Sequence, residues 1–225
     1  MRDFLVYVSA DSGRYLGEFL GEDRLFDLAV NNFRGEPFDA GQAEYSFATA
    51  GHKWRNIARD LPAIARRYRA CAFLDDDLAI STATINRAFQ VGVAAGLDVW
   101  QTALTWDSYV GWEHTLQRPP GQGVLGWGIR QVPFVEIMMP FFSAFALDAC
   151  WSTFTENYSG WGIEFLWPVR VPGGKFAVVD LLSARHTRPI QSETWRTPDG
   201  ETALEECFEL VRRHGLRGPQ YGRFG

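Results

Sequence analysis

Short apolar runs alternate along the chain with amphipathic helical patterns. Residues 4–8 and 25–30 are runs of aliphatic and aromatic side chains that end at polar residues, which is typical of buried strands. An apolar stripe at i, i+3, i+4 and i+7 spacing then predicts a helix that is kinked or restarted at Pro62. The positions of this stripe are Trp54, Ile57, Ala58, Leu61, Ile64, Ala65 and Tyr68.

The alternation continues to the C-terminal end. Residues 71–74 predict a buried strand that ends in three aspartates, and Ser81 or Thr82 begins a helix that Gly96 ends before a strand at 99–104. Later elements are predicted as a strand at 134–139, a helix at about 143–157, a strand at 176–182 and a helix with Leu204, Cys207, Phe208 and Val211 aligned. This alternation predicts an α/β sheet with helices on both faces, where ligands bind beyond the carboxyl ends of the strands.

The composition indicates one packed domain. Of the 225 residues, 46% are hydrophobic, and nine Trp, seven Tyr and 17 Phe supply enough apolar surface to exclude an intrinsically disordered chain. Neither a repeat nor a linker divides the sequence, so we predict a single domain over residues 1–225. The net charge of −5 is opposite to that of a duplex-binding surface, and we expect no nucleic-acid partner.

Cysteine usage and the absence of targeting segments indicate the compartment. An odd number of cysteines without a CxxC pair argues against a disulfide framework; they are Cys71, Cys150 and Cys207. Residues 1–13 lack the apolar stretch of a signal peptide, so a mature, cytoplasmic protein is expected. The most apolar segment, residues 134–154, is interrupted by two acids and a proline, so no transmembrane helix is predicted.

The triplet Asp75-Asp76-Asp77 is the strongest chemical signal. Adjacent carboxylates at a strand tip repel one another unless a cation or several donors neutralise them. Hard divalent ions such as Mg²⁺ or Mn²⁺ suit these oxygen ligands and can bridge to a substrate diphosphate. The alternative is an acidic, solvated loop that caps the next helix.

Two further acids lie in unusual surroundings. Glu136 interrupts an otherwise apolar run, where burial is costly unless the acid is paired, so it is expected to face a site; the alternative is an edge strand with the acid in solvent. Glu164 follows a flexible Gly-Trp-Gly turn that can present a base beside a sugar ring, or it lies on the surface. A GxGxxG pattern at Gly121, Gly123 and Gly126 follows two prolines rather than a strand, which favours a mobile loop over a dinucleotide site.

Five segments in order resemble a plant and bacterial family of uncharacterised proteins assigned to the GT-A glycosyltransferase class. They are FLDDDLAIS, QTALTWDS, FVEIMMPFFS, GWGIE and VVDLLSARHTRPI. The likeness covers roughly residues 53–186. It implies a single GT-A-like, Rossmann-like domain with a mixed central sheet, and a metal-dependent transferase that moves a sugar from a UDP- or GDP-sugar to a small-molecule or glycan hydroxyl acceptor.

The resemblance also implies roles for individual residues. Asp77, Asp75 and His186 would hold Mn²⁺ or Mg²⁺, with Asp75 and Asp76 also on the ribose or sugar of the donor. Asp27, placed at the end of the second predicted strand, and Lys53 would contact the nucleotide. Glu164 would be the catalytic base, with Glu136 as a second catalytic acid group. Tryptophans between the motifs would pack on sugar rings or in the core; they are Trp106, Trp112, Trp127 and Trp161.

Two other functions stay open at this stage. The run CAFLDDDLAI approximates the strand-DxD motif of a haloacid-dehalogenase-like phosphatase, although Ala79 stands where that motif has Thr or Val. A non-catalytic member that binds a glycan or a partner through its aromatic loops is the third reading. A homodimer that buries part of the aromatic surface is also possible.

Overall fold

A mixed β-sheet forms the centre of the computed structural model, which describes residues 1–11, 21, 23–37, 39, 41–119, 128–191 and 193–216. Within these residues the sheet has nine strands. They are β1 (Phe4–Ala10), β2 (Phe26–Asn32), β3 (Tyr45–Phe47), β4 (Ala70–Asp75), β5 (Leu78–Ala79), β6 (Val99–Leu104), β7 (Ile129–Gln131), β8 (Phe141–Ser143) and β9 (Phe176–His186).

The helices are interspersed among these strands. The α-helices are α1 (Lys53–Asp60), α2 (Pro62–Ala65), α3 (Thr82–Ala94), α4 (Ala144–Cys150), α5 (Trp167–Arg170) and α6 (Ala203–Arg213). Short 3₁₀ turns span Glu113–Thr115, Trp151–Thr155 and Ile163–Phe165. Pro62 ends α1 and begins α2, which confirms the predicted break. None of the described helices is long and apolar enough to cross a membrane.

The strand order is β3-β2-β1-β4-β8-β6-β9-β5, with β7 also paired to β9. Strands β3, β2, β1 and β4 are parallel to one another, and β6 is parallel to β9. Strand β8 joins these two groups by antiparallel pairing to both β4 and β6. The carboxyl ends of β1, β4, β6 and β9 therefore lie along one edge of a mostly parallel sheet.

Both faces of the sheet are covered, as the alternation predicted. Alternate residues of β1 point to opposite faces: Val6 and Val8 pack with Ile85 and Phe89 of α3, while Leu5 and Tyr7 share the second core layer with α1. The second layer also contains buried side chains of α4, α5 and α6. This architecture confirms the predicted mixed central sheet with flanking helices.

The predicted strand at 134–139 is wrong. Pro133 and Pro140 bracket this segment and donate no backbone hydrogen bond, so the chain turns through buried positions and regular pairing begins only at β8. Two carbonyl groups of this region still accept hydrogen bonds from β4: Phe73 N–H donates to Pro140 O, and Asp75 N–H donates to Met138 O. The predicted helix at 143–157 is shorter: α4 is followed by the 3₁₀ turn Trp151–Thr155.

Strand β9 is longer than predicted and contains an irregularity. It pairs with β6 up to Val179 and resumes at Ser183, so that Asp180, Leu181 and Leu182 form a bulge. Beyond the bulge the strand continues to His186, four residues past the predicted end at Leu182. The glycines of the predicted mobile loop, Gly121, Gly123 and Gly126, and also Trp127, lie outside the described residues.

Candidate active site

The three adjacent aspartates lie where β4 ends at the carboxyl edge of the sheet. Asp75 is the last residue of β4, and the chain turns through Asp76 and Asp77 into β5. Strand β5 pairs antiparallel with the end of β9, with Leu78 opposite His186. This pairing brings His186 beside Asp77 across about 110 residues of chain. All three aspartates and His186 line one pocket of about 560 Å³.

Asp75 is bound by Lys53, the first residue of α1. Lys53 Nζ lies 2.7 Å from Asp75 Oδ1 and also donates to the carbonyl oxygens of Ile137 at 2.8 Å and Met138 at 3.2 Å. Burial raises the pKa of Asp75 and lowers that of Lys53, and the ion pair opposes both shifts. Lys53 therefore supplies an internal positive charge for one of the three acids, and it also ties α1 to the segment before β8.

Asp77 and His186 form the second charged contact. His186 Nε2 lies 3.3 Å from Asp77 Oδ1, and Asp77 O accepts hydrogen bonds from the N–H and hydroxyl of Thr187. Burial disfavours the charged forms of both groups, but their mutual attraction outweighs it. The pKa of His186 is raised to about 9 and that of Asp77 is lowered.

The donor atoms of Asp77 and His186 fit a divalent cation. His186 Nδ1 lies 2.7 Å from the carbonyl of Tyr109, so Nδ1 carries the proton and Nε2 presents its lone pair when the ring is neutral. Within the described residues, Asp77 Oδ1 is buried and has no hydrogen-bond partner, because the contact with His186 Nε2 at 3.3 Å lies outside hydrogen-bond geometry. In the described part of the chain no three His, Cys, Asp or Glu side chains converge as a complete metal site. Mg²⁺-type sites commonly combine one or two protein ligands with phosphate and water.

Asp76 is the middle residue of the turn formed by Asp75, Asp76 and Asp77, which we call the acidic turn. Its Oδ2 accepts a hydrogen bond from the Asp11 backbone N–H at 3.2 Å, and its Oδ1 lies 3.5 Å from Arg188 Nη1. Burial raises the pKa of Asp76 to about 6 in spite of these contacts. The turn thus carries three acids in three environments: one paired with a lysine, one near an arginine and one beside a histidine.

Glu136 lies in the irregular segment before β8 and lines the same pocket. Its residue is 3% exposed, its backbone N–H donates to Gln101 Oε1, and its Oε2 has no hydrogen-bond partner within the described residues. A Cβ on Gly111 would lie 2.6 Å from Glu136 Oε1, so the missing side chain there makes room for the carboxylate. Burial raises the pKa of Glu136 to about 8.

Glu164 is buried behind the pocket rather than in its lining. Its Oε2 accepts the Gly162 N–H at 2.9 Å, and burial raises its pKa to about 8. The Gly-Trp-Gly turn before it is held firmly: Asn157 bonds to both Gly160 N–H and Trp161 O. The segment expected to be flexible is therefore fixed, and Trp161 is the residue of this turn whose side chain faces the pocket.

Asp27 does not reach the pocket. It is the second residue of β2, at the amino end of a parallel strand, whereas the pocket lies at the carboxyl ends. Its carboxylate accepts hydrogen bonds from Tyr68 at 2.8 Å and from Arg2 at 2.9 Å. The resemblance placed Asp27 at the end of the second strand, but the residue lies at the start of β2, so this prediction is wrong. Asp27 stabilises the opposite edge of the sheet.

Several pocket residues were missed by sequence reasoning. Arg188 lies two residues after His186 and was noted only as part of the segment VVDLLSARHTRPI, with no role assigned to it. The others give no periodicity or motif signal and come together only through tertiary packing. They are Ser9, Phe33, His52, Tyr158, Ser159 and Trp195.

Known proteins resemble this chain in structure but not in sequence. No protein-family model and no curated protein matches it. A fragment of S. aureus TarS, residues 1–349 solved in complex with UDP-GlcNAc, superposes with a TM-score of 0.57 at 14% identity; the match covers 95% of this chain and 65% of that fragment. GalNAc-T7, solved with UDP, GalNAc and Mn²⁺, gives a TM-score of 0.67 at 8% identity, covering 93% and 48%. The chain thus spans about two thirds and one half of these neighbours, and it shares the fold of GT-A-type glycosyltransferases.

Proposed function

We propose that the protein is a metal-dependent glycosyltransferase that transfers a sugar from a nucleotide-sugar donor to a hydroxyl acceptor. The observation that carries the proposal is the meeting of Asp77, at the tip of β4, with His186, at the tip of β9, in one pocket of a GT-A-type sheet. The complexes of TarS with UDP-GlcNAc and of GalNAc-T7 with UDP favour a UDP-sugar over a GDP-sugar.

The acidic turn is the donor end of the proposed site. Asp77 and His186 would hold Mn²⁺ or Mg²⁺, which when bound neutralises the charge of the departing nucleoside diphosphate. Lys53 opposes the rise that burial causes in the pKa of Asp75 and holds its Oδ1 at 2.7 Å. Asp76 and Arg188 border the same pocket and are the groups available to the ribose and phosphate oxygens.

Glu136 is our choice for the base that removes the proton of the acceptor hydroxyl. It lines the pocket, one of its oxygens has no partner among the described residues, and its pKa of about 8 is close to the pH at which a base works best. Glu164, the first choice from sequence, binds its own turn through Gly162 N–H. We assign Glu164 the task of holding that turn.

Calorimetric titration of UDP and GDP, with and without Mn²⁺, tests the donor site. We expect binding of UDP that requires Mn²⁺, and its loss in Asp77→Asn and His186→Ala. Asp148→Asn is the matched control, because Asp148 is an exposed acid on α4 whose ion pair among the described residues is with Arg66 at 3.4 Å. Metal-independent binding, or unchanged binding in both site variants, contradicts the proposal.

Release of UDP from UDP-sugars separates the remaining functions. A transferase hydrolyses its donor slowly in water, whereas a non-catalytic member binds UDP with Mn²⁺ and releases none. The phosphatase alternative predicts release of inorganic phosphate and is not favoured by the structural neighbours.

A further inference from the structure

One end of the pocket is built from aromatic rings. The rings of His52 and Trp195 are 4.7 Å apart and edge-on, and those of Tyr158 and Trp195 lie 6.0 Å apart and nearly parallel. His52 also contacts Tyr158 at 5.9 Å. These three residues come from the start of α1, from the segment after α4 and from the segment after β9, and we call them the aromatic wall.

The pocket side of the aromatic wall carries uncharged side chains, and the exposed Arg55, whose Cζ lies 5.2 Å from the centroid of the Tyr158 ring, is outside the pocket lining. Burial lowers the pKa of His52 to about 4, so the ring is uncharged at neutral pH, and its Nδ1 is buried without a hydrogen-bond partner in the described part of the chain. The pocket residues next to the wall, Ser159, Gln191 and Ala203, are also uncharged. Lys53 and Arg188, the lysine and arginine side chains in the described lining of the pocket, contact Asp75 and Asp76, so the groups that suit an anionic diphosphate lie at the acidic turn rather than at the wall.

Helix α6 fixes the position of the wall. The carboxylate of Glu206 accepts two successive backbone N–H groups, from Tyr158 at 2.9 Å and from Ser159 at 2.7 Å. Next to it, a Cβ on Gly162 would lie 3.0 Å from Cys207 Sγ, so the helix and the turn are in close contact. A capping box at Thr202 and Glu205 fixes the start of this helix.

The wall and the acidic turn are joined by one segment. The chain leaves His186, places Arg188 3.5 Å from Asp76, and lines the pocket through Pro189, Ile190 and Gln191. Trp195 N–H then donates to Gln191 O at 3.0 Å. The two ends are thus parts of one cavity, as transfer between a donor and an acceptor requires.

We propose that the aromatic wall binds the acceptor, and that the acceptor presents a neutral pyranose ring, with Glu206 as the residue that positions the wall. Aromatic faces pack against the C–H faces of a sugar, and a mostly apolar pocket with few polar groups provides orientation. The inference rests on the proposed function, since it takes the acidic turn as the donor end.

Saturation-transfer NMR with simple glycosides tests the wall. The probes are the methyl glycosides of glucose, galactose, mannose and N-acetylglucosamine, each added to the protein with UDP and Mg²⁺, which is diamagnetic. We expect at least one glycoside to bind, and its affinity to fall about fivefold in Trp195→Ala, where a ring face is lost. The same direction is expected in Glu206→Gln, in which one backbone N–H loses its carboxylate acceptor.

The control variant is Glu209→Gln, which changes an exposed acid of the same helix that pairs with Arg212. UDP affinity, measured in parallel by calorimetry, is expected to stay unchanged in all three variants. Absence of binding by every glycoside, or unchanged glycoside affinity in Trp195→Ala and Glu206→Gln, overturns the proposal. A parallel loss of UDP affinity in Trp195→Ala also overturns it, because the wall then holds the nucleobase. Glycoside binding without any UDP binding overturns the proposed function instead and leaves a sugar site at the wall.

Discussion

At the scale of single residues, the Gly-Trp-Gly turn depends on the absence of a side chain at Gly160. Its φ is +79°, and a Cβ there would lie 2.2 Å from Trp54 Cδ1, inside the buried ring cluster of α1. We expect Gly160→Ala to lower the free energy of unfolding by about 3 kcal/mol, from left-handed strain plus overpacking. Gly173→Ala is the control, because φ is +75° and nothing lies within 4 Å.

The control is expected to cost only about 1 kcal/mol, since it carries the strain alone. Urea unfolding of both variants gives the comparison. Equal losses would mean that the contact with Trp54 contributes nothing to stability.

A second residue-scale prediction concerns the protonation of Glu136. A carboxylate base acts only when ionised, so with a pKa of about 8 the rate of UDP-sugar hydrolysis should rise with pH and level off above that value. Glu136→Gln should lower kcat by roughly 10²–10⁴-fold while leaving the Mn²⁺-dependent affinity for UDP unchanged. Glu164→Gln, measured in the same assay, should retain the pH profile. A loss of the profile in Glu164→Gln instead would return the base to the residue chosen from sequence.

At the scale of elements, Lys53 and Asp75 couple α1 to β4 through an ion pair in which Lys53 is buried and Asp75 is partly exposed. Lys53→Met leaves the carboxylate of Asp75 without its cation and should cost about 1–3 kcal/mol of unfolding free energy, less than for a fully buried pair because solvent screens part of the charge. Asp75→Asn in the same chain removes the uncompensated charge, so the double variant should be more stable than Lys53→Met alone. Urea unfolding of the two single variants and the double variant measures the coupling. Additive losses would show that the two groups act independently.

The sequence predicts the elements whose pattern is long or whose ends have local signals. The buried strands β1, β4 and β6, the break at Pro62 and the Ser81 cap of α3 were all found, because each depends on neighbours along the chain. The segment at 134–139 was misread as a strand, because an apolar run shows burial but not whether regular pairing is possible between two prolines.

The candidate site could likewise be predicted only where its residues have a local signal along the chain. The aspartate triplet was visible because three acids follow a buried strand, and Glu136 because one acid interrupts an apolar run. The aromatic wall could not be predicted from the sequence. His52, Tyr158 and Trp195 are far apart along the chain and meet only through tertiary packing. Asp27 was misplaced because the resemblance put it at the carboxyl end of the second strand, whereas it is the second residue of β2.

At the scale of the whole molecule, the proposed donor site connects the two halves of the sheet. The parallel group β3-β2-β1-β4 and the group β6-β9 are joined inside the sheet only by β8 among the described strands, with three residue pairs to β4 and two to β6. Asp77 lies in the turn that links β4, of the first half, to β5, which pairs with β9, and His186 is the last residue of β9 in the second half. A ligand that binds both residues therefore stabilises the contact between the halves as well as the site.

Binding of UDP with Mn²⁺ should consequently raise the temperature of global unfolding. A ligand at one hundred times its Kd stabilises the native state by about 2.7 kcal/mol. For a chain of 225 residues each kcal/mol shifts Tm by roughly 2–4 °C, so a rise of roughly 5–10 °C is expected by calorimetry. Asp77→Asn should abolish the rise and Asp148→Asn should retain it. Because the ligand contacts both halves, we expect a single thermal unfolding transition that shifts as a whole. Two separate transitions, of which only one shifts, would show that the halves unfold independently and that the site lies within one of them.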